Sequence, residues 1–351
     1  MRAVAFAVAV ALIAAPALAG EPYPRGFPLV PPATAAALSS LPASPTRAAL
    51  LRSADRHLSR PPHAMARVHV EGTLPGQGIY DQSLEALRDF PAARDLALAA
   101  RITGDVRYAD AAMRLIGAWI ATYQVAFNPI DETGFAALMI AWDLIADDRR
   151  GGLEVGYGRM LQAFSRGYLD HPLKGQTATN NWNSHRVKLI VLAAFALGDP
   201  ALIAEAHAAY VSQLRANIRA DGSTVDFELR DAIHYVVYDL EPLSTAALAA
   251  RQHGHDWLGD ANHALTRALA WLEPYAAGRR THQEFANTRI AFDRTRRDAG
   301  VKGFEGKFDP KKARTAMALA ARLDSRFAET AQAMRTEAWQ DAWLELLVPL
   351  Q

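Results

Sequence analysis

Three polar stretches interrupt an otherwise apolar chain, and each lies just ahead of a run with helical spacing. The middle one, Thr177 to Arg186, reads TATNNWNSHR. Asn180, Asn181, Asn183 and Ser184 precede the apolar positions Val187, Leu189, Ile190 and Leu192. Asn or Ser in such a place caps a helix, and the free N–H groups of its first turn form a ready anion site. The Asn amides add donors for a carboxylate. His185 in the first turn meets the positive end of the helix dipole, which favours the neutral imidazole that a general base needs. Four Asn and Ser residues around Trp182 and His185 exceed what one cap requires, and Arg186 offers a cation beside them.

The third stretch, Asp221 to Tyr238, reads DGSTVDFELRDAIHYVVY. Asp221-Gly222-Ser223 is a turn, after which Arg230, His234, Tyr235 and Tyr238 bracket the start of a helix with its apolar stripe at Ile233, Leu240, Leu243 and Ala247. His234 and Tyr238 are four apart, and Tyr235 and Tyr238 three apart, so these polar aromatics share one side. A Tyr hydroxyl beside Arg is an acid–base group, because the cation favours phenolate. The plainer alternative is a pair of Tyr residues on an amphipathic helix with their hydroxyls at the surface. The first stretch, Val70 to Ser83 (VEGTLPGQGIYDQS), has too many glycines for a rigid element. It reads as a mobile flap over a groove, with Gln77 or Tyr80 touching substrate, or as an ordinary long connection. It lacks the Gly-Lys-Ser/Thr ending of a phosphate loop.

Other chemistries find less support. With no cysteine, thiolate metal sites and a Cys nucleophile are excluded, and no His-x-x-x-His pair marks a metal site. Lys plus Arg total 38 against 37 Asp plus Glu, a formal charge of +1 that gives no electrostatic footprint for nucleic acid. Asp131, Glu132, Asp226 and Glu228 are the carboxylates from which a glycosidase pair would be drawn.

These segments must be held by helices. The chain has 351 residues, 50% hydrophobic and 21% charged, which argues against intrinsic disorder. Residues 1–19 have an early Arg2, an uncharged apolar run and Ala17-Leu18-Ala19, the pattern of a cleaved signal peptide; an uncleaved anchor is the alternative. Export without cysteine suits a bacterial periplasm, with no membrane contact after cleavage. An extended Pro-rich lead is expected over residues 20–45 and a single domain over 46–351. Helical periodicity covers 83–101, 106–123, 132–147, 152–169, 184–197, 200–219 and 232–252, with two or three more helices between 261 and 346. Gly104 and Asp105 read as the stop of one helix and the N-cap of the next. Punctuated turns such as Leu197-Gly198-Asp199-Pro200 imply antiparallel neighbours. The expectation is an all-α fold, an α/α toroid (incomplete α/α barrel) of about ten helices in antiparallel hairpins.

Asn180-Asn181-Trp182 with His185-Arg186, then Asp221-Gly222-Ser223, then Glu228-Leu229-Arg230 with His234-Tyr235, resembles the alginate lyase family of polysaccharide lyases. The likeness runs from about residue 70 to about residue 275, with Thr103-Gly104-Asp105, Tyr108 and Glu241-Pro242-Leu243 adding to it. It implies a toroid fold, a periplasmic location and an anionic polysaccharide or oligosaccharide as substrate, acted on by a monomer without a metal or other cofactor. By that resemblance Asn181 matches the residue that neutralises a uronate carboxylate, and Tyr235 the acid–base tyrosine. Trp182 stands where well-studied members carry His, so His185, one turn on, takes that place, and Arg230 stands in for the family's Arg. Asn180, Arg186, His234, Tyr238, Gln77 and Tyr80 complete the expected substrate contacts. The reaction implied is β-elimination on a 4-linked uronate, with Tyr235 or His185 as base. A toroid-class glycoside hydrolase and a non-catalytic periplasmic polysaccharide-binding protein are the competing readings.

Overall fold

The structure, a computed structural model, describes residues 24–335 and 342–348. The signal-peptide expectation lies outside the described residues. The fold is all-helical. Among the described residues the only β-type pairings are the single bridges Ile218–Thr224 and Gln283–Lys307.

Five helices form the buried layer: Asp89–Thr103, Phe135–Leu144, Asn181–Leu197, Ile233–Gln252 and Arg314–Leu323. Each of the first four is followed by a more exposed helix or helical turn: Val106–Thr122, Glu154–Gln162, Pro200–Asn217 and Asp260–Ala276. The helices stack as hairpins, with Asn181–Leu197 against Ile233–Gln252 and Pro200–Asn217, and Ile233–Gln252 against Arg314–Leu323, the arrangement of an incomplete α/α toroid. Capping explains the tight reversals. Gly198 closes the Asn181–Leu197 helix at φ 65°, and the Asp199 carboxylate then accepts from the N–H groups of Ala201 and Leu202, starting the next helix at Pro200. Gly104, at φ 72°, and Asp105 do the same between Asp89–Thr103 and Val106–Thr122.

Three expectations need correcting. The described residues hold more helices than the expected ten, because several are only one or two turns long. The run 83–101 is two helices, Tyr80–Leu87 and Asp89–Thr103, since Pro91 has no N–H for the Leu87 carbonyl and is tolerated only in a first turn. The lead over 20–45 is not extended throughout. Pro32–Ala37 is a short helix, Leu29, Val30 and Leu38 are buried, and the Gly26 N–H donates to the Ala196 carbonyl at 3.0 Å. A β-carbon at Gly26 would come within 2.2 Å of the Phe195 carbonyl oxygen, so only glycine permits that approach.

Candidate active site

The Asn181–Leu197 helix is buried on all sides, so its polar first turn faces protein rather than water. Most polar side chains there have partners within the protein. Asn180 is the N-cap, its side-chain oxygen accepting from Trp182 N–H at 3.1 Å. Ser184 donates to Asp239, Asn183 to Gln213, and Arg186 to the Tyr168 carbonyl. Asn180 and Arg186 therefore serve the fold: neither lines the cleft that holds Tyr235, correcting the expectation that they bind substrate there. Asn181 differs. It is 1% exposed yet forms part of the wall of a cleft of about 530 Å³. Its backbone N–H and its side-chain Nδ2 both donate to Asp226, at 2.6 and 2.7 Å.

Asp226 belongs to the short helix Val225–Arg230, which Thr224 caps. Its Oδ1 also accepts from Arg230 Nε at 3.3 Å, so one buried carboxylate ties Asn181 to Arg230. The other end of the guanidinium donates through Nη1 to buried Asp293. Its face covers the Tyr235 ring, 3.9 Å from the centroid. Tyr235 and Tyr238 project from the first turns of Ile233–Gln252 into the same cleft, with His234 beside them. The Glu284 carboxylate accepts from the Ile233 and His234 N–H groups, satisfying a helix start that has no side-chain cap of its own. Burial pushes the Tyr235 hydroxyl above the ordinary phenol range, and the cations Arg230 and Arg296 pull the other way.

His185 does not line this cleft. It is 3% exposed and lies behind Tyr238, ring centroids 4.1 Å apart. Its Nδ1 pairs with Thr133 Oγ1 at 2.6 Å, and that oxygen also accepts from Lys188 Nζ at 2.6 Å. Desolvation first, and the Lys188 charge second, hold His185 well below its usual pKa, while burial lowers Lys188 to about 8. The expectation that His185 acts as the base is corrected on these grounds: it supports the tyrosine wall from behind. Gln77 is also outside the cleft; it is exposed, its side chain folded back onto the Leu74 N–H, whereas Tyr80 of the same segment does form part of the wall. The flap is anchored where Asp131 Oδ1 accepts from the N–H groups of Val70 and Glu71, both at 2.9 Å. Asp131, Glu132, Asp226 and Glu228 are all engaged inside the protein or with Arg219, and none lines the cleft, so they form no glycosidase pair.

The sequence profile of the alginate lyase family matches residues 35–282. The chain belongs to the alginate lyase family. It is accordingly a polysaccharide lyase, an enzyme of the carbon–oxygen lyase class whose reaction type is cleavage of uronate polymers. Among curated protein sequences none matches it. Among solved structures this lyase is similar to an alginate lyase from Bacteroides ovatus, at 17% identity over 93% of this chain and 100% of that one, with a TM-score of 0.66. It is also similar to alginate lyase A1-III from Sphingomonas species A1, at 18% identity over 84% of this chain and 95% of that one, TM-score 0.52. A tyrosine-to-phenylalanine variant of A1-III complexed with a tetrasaccharide matches at 19% identity over 70% and 76% of the two chains, TM-score 0.52. At these identities the likeness is one of fold.

The lyase cleft includes residues that sequence reasoning passed over: Glu71, Trp182, Glu241, Arg296, Phe304 and Lys312. Trp182 was noted only as a departure from the family pattern. Phe304 lies in GVKGFEGK, a segment as glycine-dense as the 70–83 flap, and that density was the available clue to a second loop over the site. Arg296, on the exposed helix Ala291–Asp298, carries no comparable clue.

Proposed function

We propose that this lyase cleaves 4-linked polyuronates by β-elimination, with Asn181 meeting the substrate carboxylate and Tyr235 moving the proton. The observation that supports this reading is that Asn181 and Tyr235, far apart in sequence, line one cleft, with Arg230 lying between them through Asp226. A uronate C5–H is acidic only when the adjacent carboxylate charge is suppressed, because its removal builds a dianion. Asn181 has given one amide hydrogen to Asp226, and its second remains for the carboxylate. Donors set in advance toward developing charge supply a large part of such a rate enhancement.

Tyr235 as phenolate takes the C5 proton. The released electron pair forms the C4=C5 double bond as the C4–O4 bond breaks, and the phenol returns its proton to O4. The enzyme is thereby restored, and no water is consumed. Arg230 holds the ring and favours the phenolate, while His234, Tyr238 and Tyr80 bind sugar along the cleft. His185 touches none of the reacting atoms in this scheme. In this reading the protein is exported by its N-terminal segment and works as a periplasmic monomer on an anionic polysaccharide.

The test is incubation of the purified protein with alginate and with glucuronan. A rise in ultraviolet absorbance from the new C4=C5 bond on at least one polymer supports the elimination. New reducing ends without that absorbance would overturn it in favour of hydrolysis.

A further inference from the structure

Arg230 is fully committed within the protein. Asp226 and Asp293, both buried, accept from two of its nitrogens, and its side chain is only 12% exposed. Its charge is balanced before any substrate arrives, and its face is occupied by the Tyr235 ring. A guanidinium in that state orients a ring well but has little left to offer a carboxylate.

Arg296 is in the opposite condition. It lines the cleft from the Ala291–Asp298 helix, and its Nη1 donates to the Tyr235 hydroxyl at 3.3 Å. Its guanidinium rests on two aromatic faces, 4.3 Å from the Phe292 centroid and 5.1 Å from that of Phe304. Among the described residues no carboxylate lies within ion-pair distance of it. Ring faces hold a cation in place without neutralising it, and they leave the N–H edges of the planar group available. The residue also lies beyond the 35–282 segment that matches the family profile, so the match assigns it nothing.

We propose that Arg296 is a catalytic residue: it receives the carboxylate of the reacting uronate with Asn181 and holds the Tyr235 oxygen, while Arg230 positions the Tyr235 ring. This rests on the elimination reading. One guanidinium fork can serve both tasks because its nitrogens lie in one plane, so a hydrogen bond to the tyrosine oxygen and one to a carboxylate point into the same space. Both arginines favour the phenolate, and of the two Arg296 is the one hydrogen-bonded to the phenol oxygen while Arg230 covers the ring face. The helix of Tyr235 offers His234 and Tyr238, the Val225–Arg230 helix offers Arg230 with Asp226 behind it, and the Ala291–Asp298 helix offers Arg296 and Asp293. The 285 turn presents only the ring of Phe285, and the cleft carboxyls are Glu71 and Glu241. Arg230 is offset by its two aspartates and Arg296 acts on the cleft carboxylate Glu71, but Arg296 is the cation that donates to the phenol oxygen itself.

The experiment compares Arg296→Gln and Arg296→Lys with the unaltered enzyme and Tyr235→Phe, all in the full chain, on whichever polyuronate yields unsaturated product. Thermal midpoints verify folding. Arg296→Gln is expected to lower kcat/KM about 100-fold and to move the rising limb of the pH–rate profile to higher pH. Arg296→Lys keeps the charge without the fork, and is expected to restore the limb and part of the rate. If Arg296→Gln retains the rate and limb of the unaltered enzyme while Tyr235→Phe is inactive, the assignment of Arg296 is wrong and the elimination reading stands. If Gln and Lys lose activity equally with an unmoved limb, Arg296 merely shapes the loop, and the assignment is again wrong. If Tyr235→Phe is fully active, the elimination reading itself fails and takes this inference with it.

Discussion

Replacing Asp226 with Asn isolates the link that aligns the two halves of the site. The side chain is fully buried and accepts three hydrogen bonds, from Asn181 N–H at 2.6 Å, Asn181 Nδ2 at 2.7 Å and Arg230 Nε at 3.3 Å. All three partners are donors. An Asn of the same shape has one oxygen and one NH2 group, so whichever way it turns, at least one buried donor faces another donor. An unsatisfied buried donor costs about 1–3 kcal/mol, and weakening a buried charged contact adds to it. The expected loss of stability is about 3 kcal/mol, which lowers the thermal midpoint by several degrees. Asn181 and Arg230 are no longer held in register, and a displacement of about 1 Å at such a site lowers kcat about 100-fold. Glu228→Gln is the internal comparison. It lies on the same helix, but its carboxylate pairs with Arg219 on the exposed side, where an ion pair contributes less than about 1 kcal/mol. Unfolding curves and initial rates of double-bond formation measure both variants. An Asp226→Asn protein with the midpoint and kcat of the unaltered enzyme would refute the reasoning that this carboxylate organises the site.

Two further outcomes follow from the geometry. The Tyr235 hydroxyl titrates above the ordinary phenol range because burial outweighs the two arginines, so the phenolate is the minor form at neutral pH. A base of that kind gains active form as pH rises, and kcat/KM should climb about tenfold per pH unit between about pH 7 and 9; a flat profile over that span contradicts a Tyr235 base. Gly222 and Gly104 separate two reasons for glycine. Both have positive φ, but a β-carbon at Gly222 would come 2.6 Å from the Arg267 carbonyl oxygen, while at Gly104 it would meet open space. Gly104→Ala should therefore cost about 1 kcal/mol and Gly222→Ala about 3 kcal/mol or more in unfolding free energy, and equal losses would show that the contact contributes nothing.

Punctuation in the sequence carried most of what was legible about the fold. Gly104-Asp105 and Gly198-Asp199-Pro200 announce helix ends because only a few residue types tolerate a left-handed stop or supply a cap oxygen. Asn181 and Tyr235 stood out from polar residues gathered at two helix starts, and both line one cleft. The misreadings in the middle stretch share one cause. NWNSHR looks like an exposed turn, yet the helix it opens is buried all round, and Asp239, Gln213, Thr133 and the Tyr168 carbonyl take up its polar groups from distant parts of the chain. Such partners leave no periodic trace. For the same reason Arg186 and His185 looked available for substrate when both were already engaged. Arg296 was missed because its importance lies in a contact made across 61 positions, and nothing local distinguishes it from Arg294 or Arg297.

The central claim is that a phenol in this cleft moves the proton of an elimination. It is tested most directly by following unsaturated product from a polyuronate with Tyr235→Phe beside the unaltered enzyme, each shown to have the same thermal midpoint. The account predicts that the single oxygen atom removed abolishes formation of the double bond while the polymer still binds. A folded Tyr235→Phe enzyme that forms the unsaturated product at an undiminished rate would contradict it.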